Sequence, residues 1–180
     1  MRKVKKRYYL LLSILLVAIF RGQLFRLCVS YESAGNRDFI ALNDKRLVHE
    51  IENWTAENPD ASPKQLITYA RKQTARKASF VMRSTSGQPD DIAKSGAANC
   101  VGYARLFAAI LDRADVDDRF HQEILTGKIS LFGQSLHQLT NDPFWSDHDY
   151  NKIVDVNSGA VLFLDVTLFD YFGVRWVGSL

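Results

Sequence analysis

Three side chains in this sequence have the chemistry of a nucleophile, a base and an orienting acid: Cys100, His148 and Asp165. Cys100 follows a run of small residues and opens an apolar stretch, so we expect it at the N-terminus of a buried helix. There the positive end of the helix dipole and the free backbone N–H groups favour the thiolate. The alternative is that Cys100 is one more small apolar residue of a packed helix.

A thiolate nucleophile needs a base within hydrogen-bonding reach, and that base needs a partner that orients it. His148 stands immediately before a predicted strand, and Asp165 stands near the end of the next one, among apolar residues. An ionised carboxylate in apolar surroundings is costly unless a cation or a hydrogen-bond donor faces it. The pattern allows a Cys100–His148–Asp165 triad, with His137 as the alternative base. The alternatives are an exposed histidine at the start of a strand and an aspartate at the end of one.

Helices precede strands along the chain, which indicates an α+β fold. Apolar residues at helical spacing predict helices over 43–56, from the Ser62-Pro63 cap to about Lys77, and from Cys100 to about Asp112, with Asn99 as the cap of the last. A hairpin is predicted from strands 150–156 and 160–167 around a turn at 157–159, followed by a short strand over 174–177. We expect the Cys100 helix to be central and to pack on an antiparallel sheet that includes this hairpin.

The N-terminus has the pattern of a membrane-targeting segment. Five positive charges in residues 2–7 precede an apolar run from Tyr8 to Phe20, which predicts a signal anchor or a cleaved signal peptide within residues 1–30. Residues 24–29 could lengthen the run into a span of about 20 residues. By the positive-inside rule the rest of the protein lies outside the cytoplasm, anchored to the membrane, or secreted if the segment is cleaved.

The remaining chain is interpreted as a linker over 31–42 and one domain over 43–180. The net charge is +3, and subtracting the five N-terminal positive charges leaves −2, so no basic face suggests a nucleic-acid partner. Of the two cysteines, Cys28 lies beside the targeting segment, which leaves Cys100 without a disulfide partner in the domain. Too few His and Cys side chains stand at ligand spacing to predict a metal, and no cofactor motif is found.

The segment from Gly96 to Phe107, GAANCVGYARLF, resembles the nucleophile motif of the transglutaminase-like superfamily, in which a cysteine starts a central helix. His148 before a strand is similar to the family's histidine. Leu164-Asp165-Val166-Thr167 resembles its Asp-Pro-Thr ending, with Val166 in place of the proline. With the Ser62-Pro63 helix as the family's opening, the resemblance covers about residues 62 to 170.

The resemblance implies a papain-like cysteine fold and acyl transfer on a protein or peptide substrate. Cys100 would attack an amide carbonyl, His148 would carry the proton and Asp165 would orient the imidazole. Release to water would make the protein a protease or amidase, and we favour this outcome; release to an amine would make it a cross-linking acyltransferase. The alternative is a catalytically inactive binding domain of the same fold, anchored at the membrane.

Overall fold

A computed structural model of the chain describes residues 2–135 and 147–177, with side chains from residue 8 onward. The protein is an α+β structure in which helices pack on an antiparallel sheet. The helices are α1 (Arg2–Cys28), α2 (Lys45–Glu57), α3 (Pro63–Lys77), α4 (Pro89–Ser95), α5 (Cys100–Ala114) and α6 (Val166–Phe172). The strands are β1 (Val29–Arg37), β2 (Ser79–Phe80), β3 (Ala97–Ala98), β4 (Phe120–Leu131), β5 (Gln134–Ser135), β6 (His148–Asp155) and β7 (Val161–Leu164).

The main sheet has the order β1-β4-β6-β7, and its neighbouring strands are antiparallel. Strand β5 pairs with the end of β4, while β2 and β3 form a separate parallel pair beside the start of α5. The main core lies between helices α2, α3 and α5 and the sheet residues Ile153 and Leu164. A smaller cluster surrounds Tyr31 and includes Tyr150 and Phe25 of α1.

Helix α5 is the central helix, as the sequence predicts. Residues on most of its faces are buried, from Tyr103 near its start to Ala114 at its end. Helices α2 and α3 also lie where the apolar spacing predicts them, and Pro63 begins α3 with a capping box between Ser62 and Gln65. The hairpin of β6 and β7 is confirmed, with Asn151 opposite Leu164 and Val154 opposite Val161.

The interpretation of residues 31–42 as a linker is wrong over its first half, because Tyr31–Arg37 belongs to strand β1. This strand pairs with β4 along nearly its whole length and begins directly after α1, so the sheet contains residues from before the predicted domain boundary at 43. Polar residues dominate β1 because it is an edge strand, and the alternation that identifies a half-buried strand is weak there.

Two strand predictions near the C-terminus also differ from the structure. Strand β7 stops at Leu164 rather than Thr167, because the side chain of Asp165 caps helix α6 and the chain turns helical at Val166. Residues 174–177 form no strand, although the Val177 N–H donates to the Phe163 carbonyl at 2.9 Å. Strand β4, which the sequence analysis does not predict, is a twelve-residue strand in the interior of the sheet.

The N-terminal helix α1 contains one segment, Tyr8–Cys28, that is long and apolar enough to cross a membrane. Its side chains from Tyr8 to Phe20 are exposed, so the segment is not a core helix of the domain. This is compatible with a membrane anchor or a signal peptide.

Candidate active site

Cys100 is the first residue of α5, and the local sequence explains why the helix begins there. The Asn99 side chain caps the helix by accepting a hydrogen bond from the Gly102 N–H at 3.1 Å. Gly102 has no room for a side chain, because a Cβ there would lie 2.9 Å from Ala98 Cβ and 2.9 Å from Ile92 Cδ1. The small residues before and after Cys100 therefore let the entering loop and α4 pack closely against the first turn.

Asp165 is held by three hydrogen bonds at the junction between β7 and α6. Its Oδ1 accepts from the Leu168 N–H at 3.1 Å, which is the cap of α6. Its Oδ2 accepts from His148 Nε2 at 2.6 Å and from the Tyr31 hydroxyl at 2.8 Å. The side chain is 2% exposed, so these donors replace water around a buried carboxylate.

His148 is the first residue of β6 and lies between the other two members of the predicted triad. Nε2 is occupied by Asp165, and the Cys100 thiol lies close enough to the imidazole to affect its pKa. Because a ring has two nitrogens, Nδ1 is the one left for the thiol. The structure thus brings Cys100, His148 and Asp165 together, with a hydrogen bond between the last two, whereas His137 lies outside the described residues.

The charges in this chain support one another. Burial lowers the pKa of His148, but the charge of Asp165, the hydrogen bond with it and the neighbouring Cys100 outweigh this effect, and the pKa is held well above its usual value. Burial likewise raises the pKa of Asp165, but the His148 charge and the donors on its oxygens bring it below its usual value. At neutral pH the pair is an imidazolium beside a carboxylate, and the imidazolium can stabilise a thiolate on its other side.

Tyr31 completes the surroundings of Asp165, and the sequence analysis missed it. Its ring is 1% exposed and makes edge contacts with Tyr150 at 4.9 Å and His148 at 6.1 Å between ring centroids. Burial and the nearby Asp165 charge raise the pKa of Tyr31 well above its usual value, so the hydroxyl remains a donor. The only signal in the sequence is an aromatic residue in a polar segment, and this alone indicates no partner.

Strand β1 also holds the strand that carries the histidine. Arg37 Nη2 contacts Asp147 Oδ2 at 2.9 Å, and Arg37 Nε contacts Asp149 Oδ2 at 2.7 Å. The two carboxylates flank His148, so one guanidinium fixes the backbone on both sides of the imidazole. Asp149 is buried, and a buried ion pair of this kind is strongly sensitive to the loss of either partner.

Asn151 sets the distance between β6 and α5. Its Nδ2 donates to the Ala104 carbonyl at 2.9 Å, one turn into the helix that Cys100 begins. Asn151 is buried, although asparagine is a residue type depleted in strands. Its polarity is therefore used to join the base-bearing strand to the nucleophile-bearing helix.

The arrangement has the parts needed for nucleophilic catalysis by a thiol. The first residues of a helix have backbone N–H groups without acceptors inside the helix. The N–H of Cys100 can therefore donate to the oxyanion that forms on a substrate carbonyl when the Cys100 sulfur attacks its carbon. Within residues 2–135 and 147–177 no group of three or more His, Cys, Asp or Glu side chains could hold a metal ion. Both cysteines are free thiols.

Comparison of the chain with models of known protein families, with curated proteins and with solved structures found no match. What this chain does must therefore be inferred from the side chains assembled around Cys100.

Proposed function

We propose that this protein is a membrane-anchored cysteine enzyme of transglutaminase-like type, with a papain-like fold, that acts on amide bonds of a protein or peptide through a thioester. The observation that carries the proposal is the grouping of Cys100, His148 and Asp165, in which His148 lies beside the thiol and its Nε2 lies 2.6 Å from Asp165 Oδ2. A helix-starting cysteine packed on an antiparallel sheet also agrees with the resemblance found in the sequence.

The reaction balances with the groups present. The Cys100 sulfur attacks the amide carbonyl carbon, and the C–N bond breaks as His148 gives its proton to the leaving amine. The product is a thioester on Cys100. Water then attacks the thioester, His148 accepts its proton, the C–S bond breaks, and the carboxylic acid leaves as the thiolate and imidazolium are restored. Asp165 keeps the imidazole oriented and compensates its charge throughout.

Hydrolysis is the outcome we propose, with transfer to an amine as the variation on the same thioester. The two differ only in which nucleophile reaches the acyl carbon. To distinguish the two outcomes, the full-length protein is incubated with glutamine-containing peptides, with and without a primary amine, and the products are identified by mass spectrometry. A free acid indicates hydrolysis, and an amine adduct indicates transfer.

Thiol alkylation tests the proposal without knowledge of the substrate. In a Cys28→Ser background, Cys100 is the one remaining thiol of the sequence, so iodoacetamide reports on it alone. An ordinary thiol with a pKa of about 8.5 is only about 0.3% thiolate at pH 6. We expect folded Cys100 to react at pH 6 at least about tenfold faster than the same residue in the denatured chain.

The matched controls separate activation from access. His148→Ala should remove most of the rate advantage, whereas His121→Ala should not, since His121 is an exposed residue of β4. Equal rates in the folded and denatured chains, or equal rates in both histidine variants, contradict the proposal.

A second candidate is a catalytically inactive binding domain with the same fold. One observation favours it: Cys100 is only 8% exposed, so little of the thiol is accessible to a substrate. For this candidate, alkylation of folded Cys100 is slower than in the denatured chain at every pH, and the His148→Ala substitution leaves the rate unchanged.

A further inference from the structure

A cavity of about 700 Å³ lies away from the candidate triad, between α3, the β6–β7 hairpin, α6 and the segment that follows α6. None of Cys100, His148 and Asp165 is among the residues that line it. Its volume is within the range of sites that hold small molecules, about 300–1,000 Å³. The proposed acyl-transfer chemistry gives this cavity no role.

Most of the cavity wall is apolar. Ile67 of α3, Leu162 of β7, Phe169 of α6 and Trp176 each contribute to it. Leu162 and Trp176 are also among the large apolar side chains that remain exposed in this structure. An apolar wall of this kind gains free energy when an alkyl or aromatic group displaces water from it.

A buried arginine without a carboxylate partner faces this apolar space. Arg71 lines the cavity and is 7% exposed, and within the described residues it has no ion pair. Its Nη1 donates to the Arg175 carbonyl at 2.8 Å, and its guanidinium lies 4.0 Å from the centroid of the Phe169 ring. Its Nε has no hydrogen-bond partner in the part of the chain that the structure describes.

The charge of Arg71 therefore has no carboxylate to neutralise it among the described residues. Burial, and to a lesser extent the charge of Arg175, lower the pKa of Arg71 to about 10, which still leaves it cationic at neutral pH. A buried charge and an N–H donor without partners destabilise the protein. An acceptor bound in the cavity would reduce this cost in free energy.

The other charged groups of the wall do not neutralise it. Lys64, Lys72 and Arg175 add positive charge, and among the described residues Asp155 is the one carboxylate of the lining. Asp155 Oδ1 accepts from the backbone N–H groups of Asn157 and Ser158 in its own turn. The cavity as a whole thus favours an anion.

We propose that this cavity binds an anionic amphiphile, a carboxylate or phosphate with a single alkyl chain, whose headgroup pairs with Arg71 and whose chain lies along the apolar wall. The guanidinium of Arg71, which has no ion pair among the described residues, supplies the donor for the headgroup, and the excess of cations in the wall selects a negatively charged one. The apolar residues supply the surface for the chain. This inference is independent of the reaction at Cys100.

The position of the cavity fits such a ligand. Arg175 and Trp176 also line a smaller cavity formed with residues of α1 between Ile19 and Arg26. The Arg26 guanidinium stacks on the Trp176 ring at 5.2 Å from its centroid. The ligand cavity is thus next to the end of the apolar helix, where amphiphiles from a bilayer are concentrated.

The test is photo-crosslinking of the full-length protein in nanodiscs of neutral lipid, with dodecanoate that carries a diazirine near the chain end. We expect crosslinks in peptides covering 63–72 and 160–176, and displacement by excess dodecanoate. Dodecanol should compete at least about tenfold less well, because it lacks the charge that pairs with Arg71. Inorganic phosphate should not displace the probe, because it has no chain.

Three variants make the result specific. Arg71→Gln should lower the crosslinking yield about tenfold by removing the charged donor. Leu162→Trp should lower the yield comparably by filling the cavity while keeping every charge. This variant tests the proposal if Arg71→Gln does not fold. Arg46→Gln is the matched control, since the Arg46 side chain is exposed on α2 outside the cavity, and should leave the yield unchanged.

Several outcomes would overturn the proposal. Crosslinks confined to residues 8–20 would mean simple partition of the probe into the bilayer. Equal competition by dodecanol would mean an apolar site without headgroup recognition, and displacement by phosphate would mean a simple anion site. An unchanged yield in folded Arg71→Gln or Leu162→Trp would exclude the cavity as the binding site.

Discussion

At the scale of single residues, Asp165 is the group on which the candidate site depends most. One oxygen caps α6 through Leu168, and the other accepts from both His148 and Tyr31. The same side chain thus determines where a helix begins and how an imidazole is oriented. This double use explains why a carboxylate remains ionised in a position that is almost fully buried.

Tyr31→Phe should slow the alkylation of Cys100 at pH 6 by about tenfold, which corresponds to one hydrogen bond to a charged group, roughly 1.5 kcal/mol. The ring and its packing remain, but Asp165 loses one of the donors that keep its pKa low and its position fixed. Tyr150→Phe is the matched control, because the Tyr150 ring contacts Tyr31 while its hydroxyl does not bond to Asp165. Equal rates for the two variants would show that the Tyr31 hydroxyl has no positioning role.

The His148–Asp165 pair should make the stability of the protein depend on pH in a defined window. The pKa of His148 is raised on folding, so its contribution is complete below the unfolded value of about 6.5 and is lost as pH rises through the folded pKa. The pKa of Asp165 is lowered, so its contribution is complete above about 3.9 and is lost as pH falls through the folded pKa. Both contributions are therefore complete between about pH 4 and 6.5.

Asp165→Asn should lower the free energy of unfolding most within that window, by about 3 kcal/mol, because it leaves His148 buried without its counter-charge. The loss should shrink at alkaline pH, once His148 is neutral in the folded protein. Asparagine can still accept from Leu168, so the α6 cap is kept. Urea unfolding of the full-length protein in neutral detergent, followed from pH 4 to 10, measures the difference; a loss that is constant over this range contradicts the pairing.

The triad could be predicted from the sequence because each member stands at the boundary of an element that has a readable pattern. Cys100 opens an apolar helix, His148 opens a strand, and Asp165 stands alone among apolar residues. The catalytic role of the three stays a prediction, while their proximity is now a structural fact. Tyr31 could not be predicted, since its partner Asp165 is 134 residues away and nothing local to Tyr31 requires it.

At the scale of elements, strand β1 is the main difference between the expected and the observed fold. Its polar residues suggested a linker, but Tyr31 holds Asp165 and Arg37 holds the residues on both sides of His148. Strand β4 was not predicted for a related reason. Gly127 and several polar residues interrupt the apolar alternation of its sequence, and its pairing with β1 joins segments about 100 residues apart. Such pairing is decided by tertiary contacts rather than by local propensity.

Gly127 joins the three strands at the level of the histidine. It is opposite Ser33 of β1 and opposite His148 of β6. A Cβ at this position would lie 2.1 Å from the Glu32 carbonyl oxygen, so any side chain would force β1 away from β4. Because that oxygen belongs to the backbone, the clash cannot be relieved by a side-chain rotation.

Gly127→Ala should therefore destabilise the protein by about 3 kcal/mol and slow the alkylation of Cys100. Gly35→Ala is the matched control in the same pair of strands, because its Cβ would meet only Thr126 Cγ2, at an ordinary 3.7 Å. Thermal unfolding and the alkylation rate at pH 6 are measured for both. If the two variants behave alike, strand β1 does not set the geometry of the triad.

At the scale of the whole molecule, the proposed anchor helix continues directly into the strand that contacts the candidate site. Helix α1 ends at Cys28 and β1 begins at Val29, with no residue between them. The Cys28 carbonyl accepts from the Phe132 N–H at 2.8 Å, and Val29 is opposite Leu131 in the sheet. Tyr31, which binds Asp165, is thus only three residues beyond the end of the helix.

This continuity favours an uncleaved anchor over a cleaved signal peptide. Cleavage near residue 28–30 would cut at the junction of α1 and β1 and remove the first pairs of β1 with β4. It would also remove Arg26 from the Trp176 ring and Phe25 from the cluster around Tyr31. The C-terminal part of the segment that a signal peptidase would remove is therefore packed against the rest of the protein.

We accordingly predict that the mature protein keeps its N-terminal segment and that a reporter fused after Leu180 is active only outside the cytoplasm. The positive charges of residues 2–7 precede the apolar helix, so the positive-inside rule directs the C-terminal side across the membrane. Intact-mass measurement of the membrane fraction gives the N-terminus, and an alkaline phosphatase fusion gives the side. A variant with an engineered cleavage site before Val29 serves as the size marker, and its cut form should lose the rapid alkylation of Cys100 because β1 is released from α1. A native protein that begins near residue 30 and alkylates rapidly would show that the helix is a removable signal and that β1 holds the site without it.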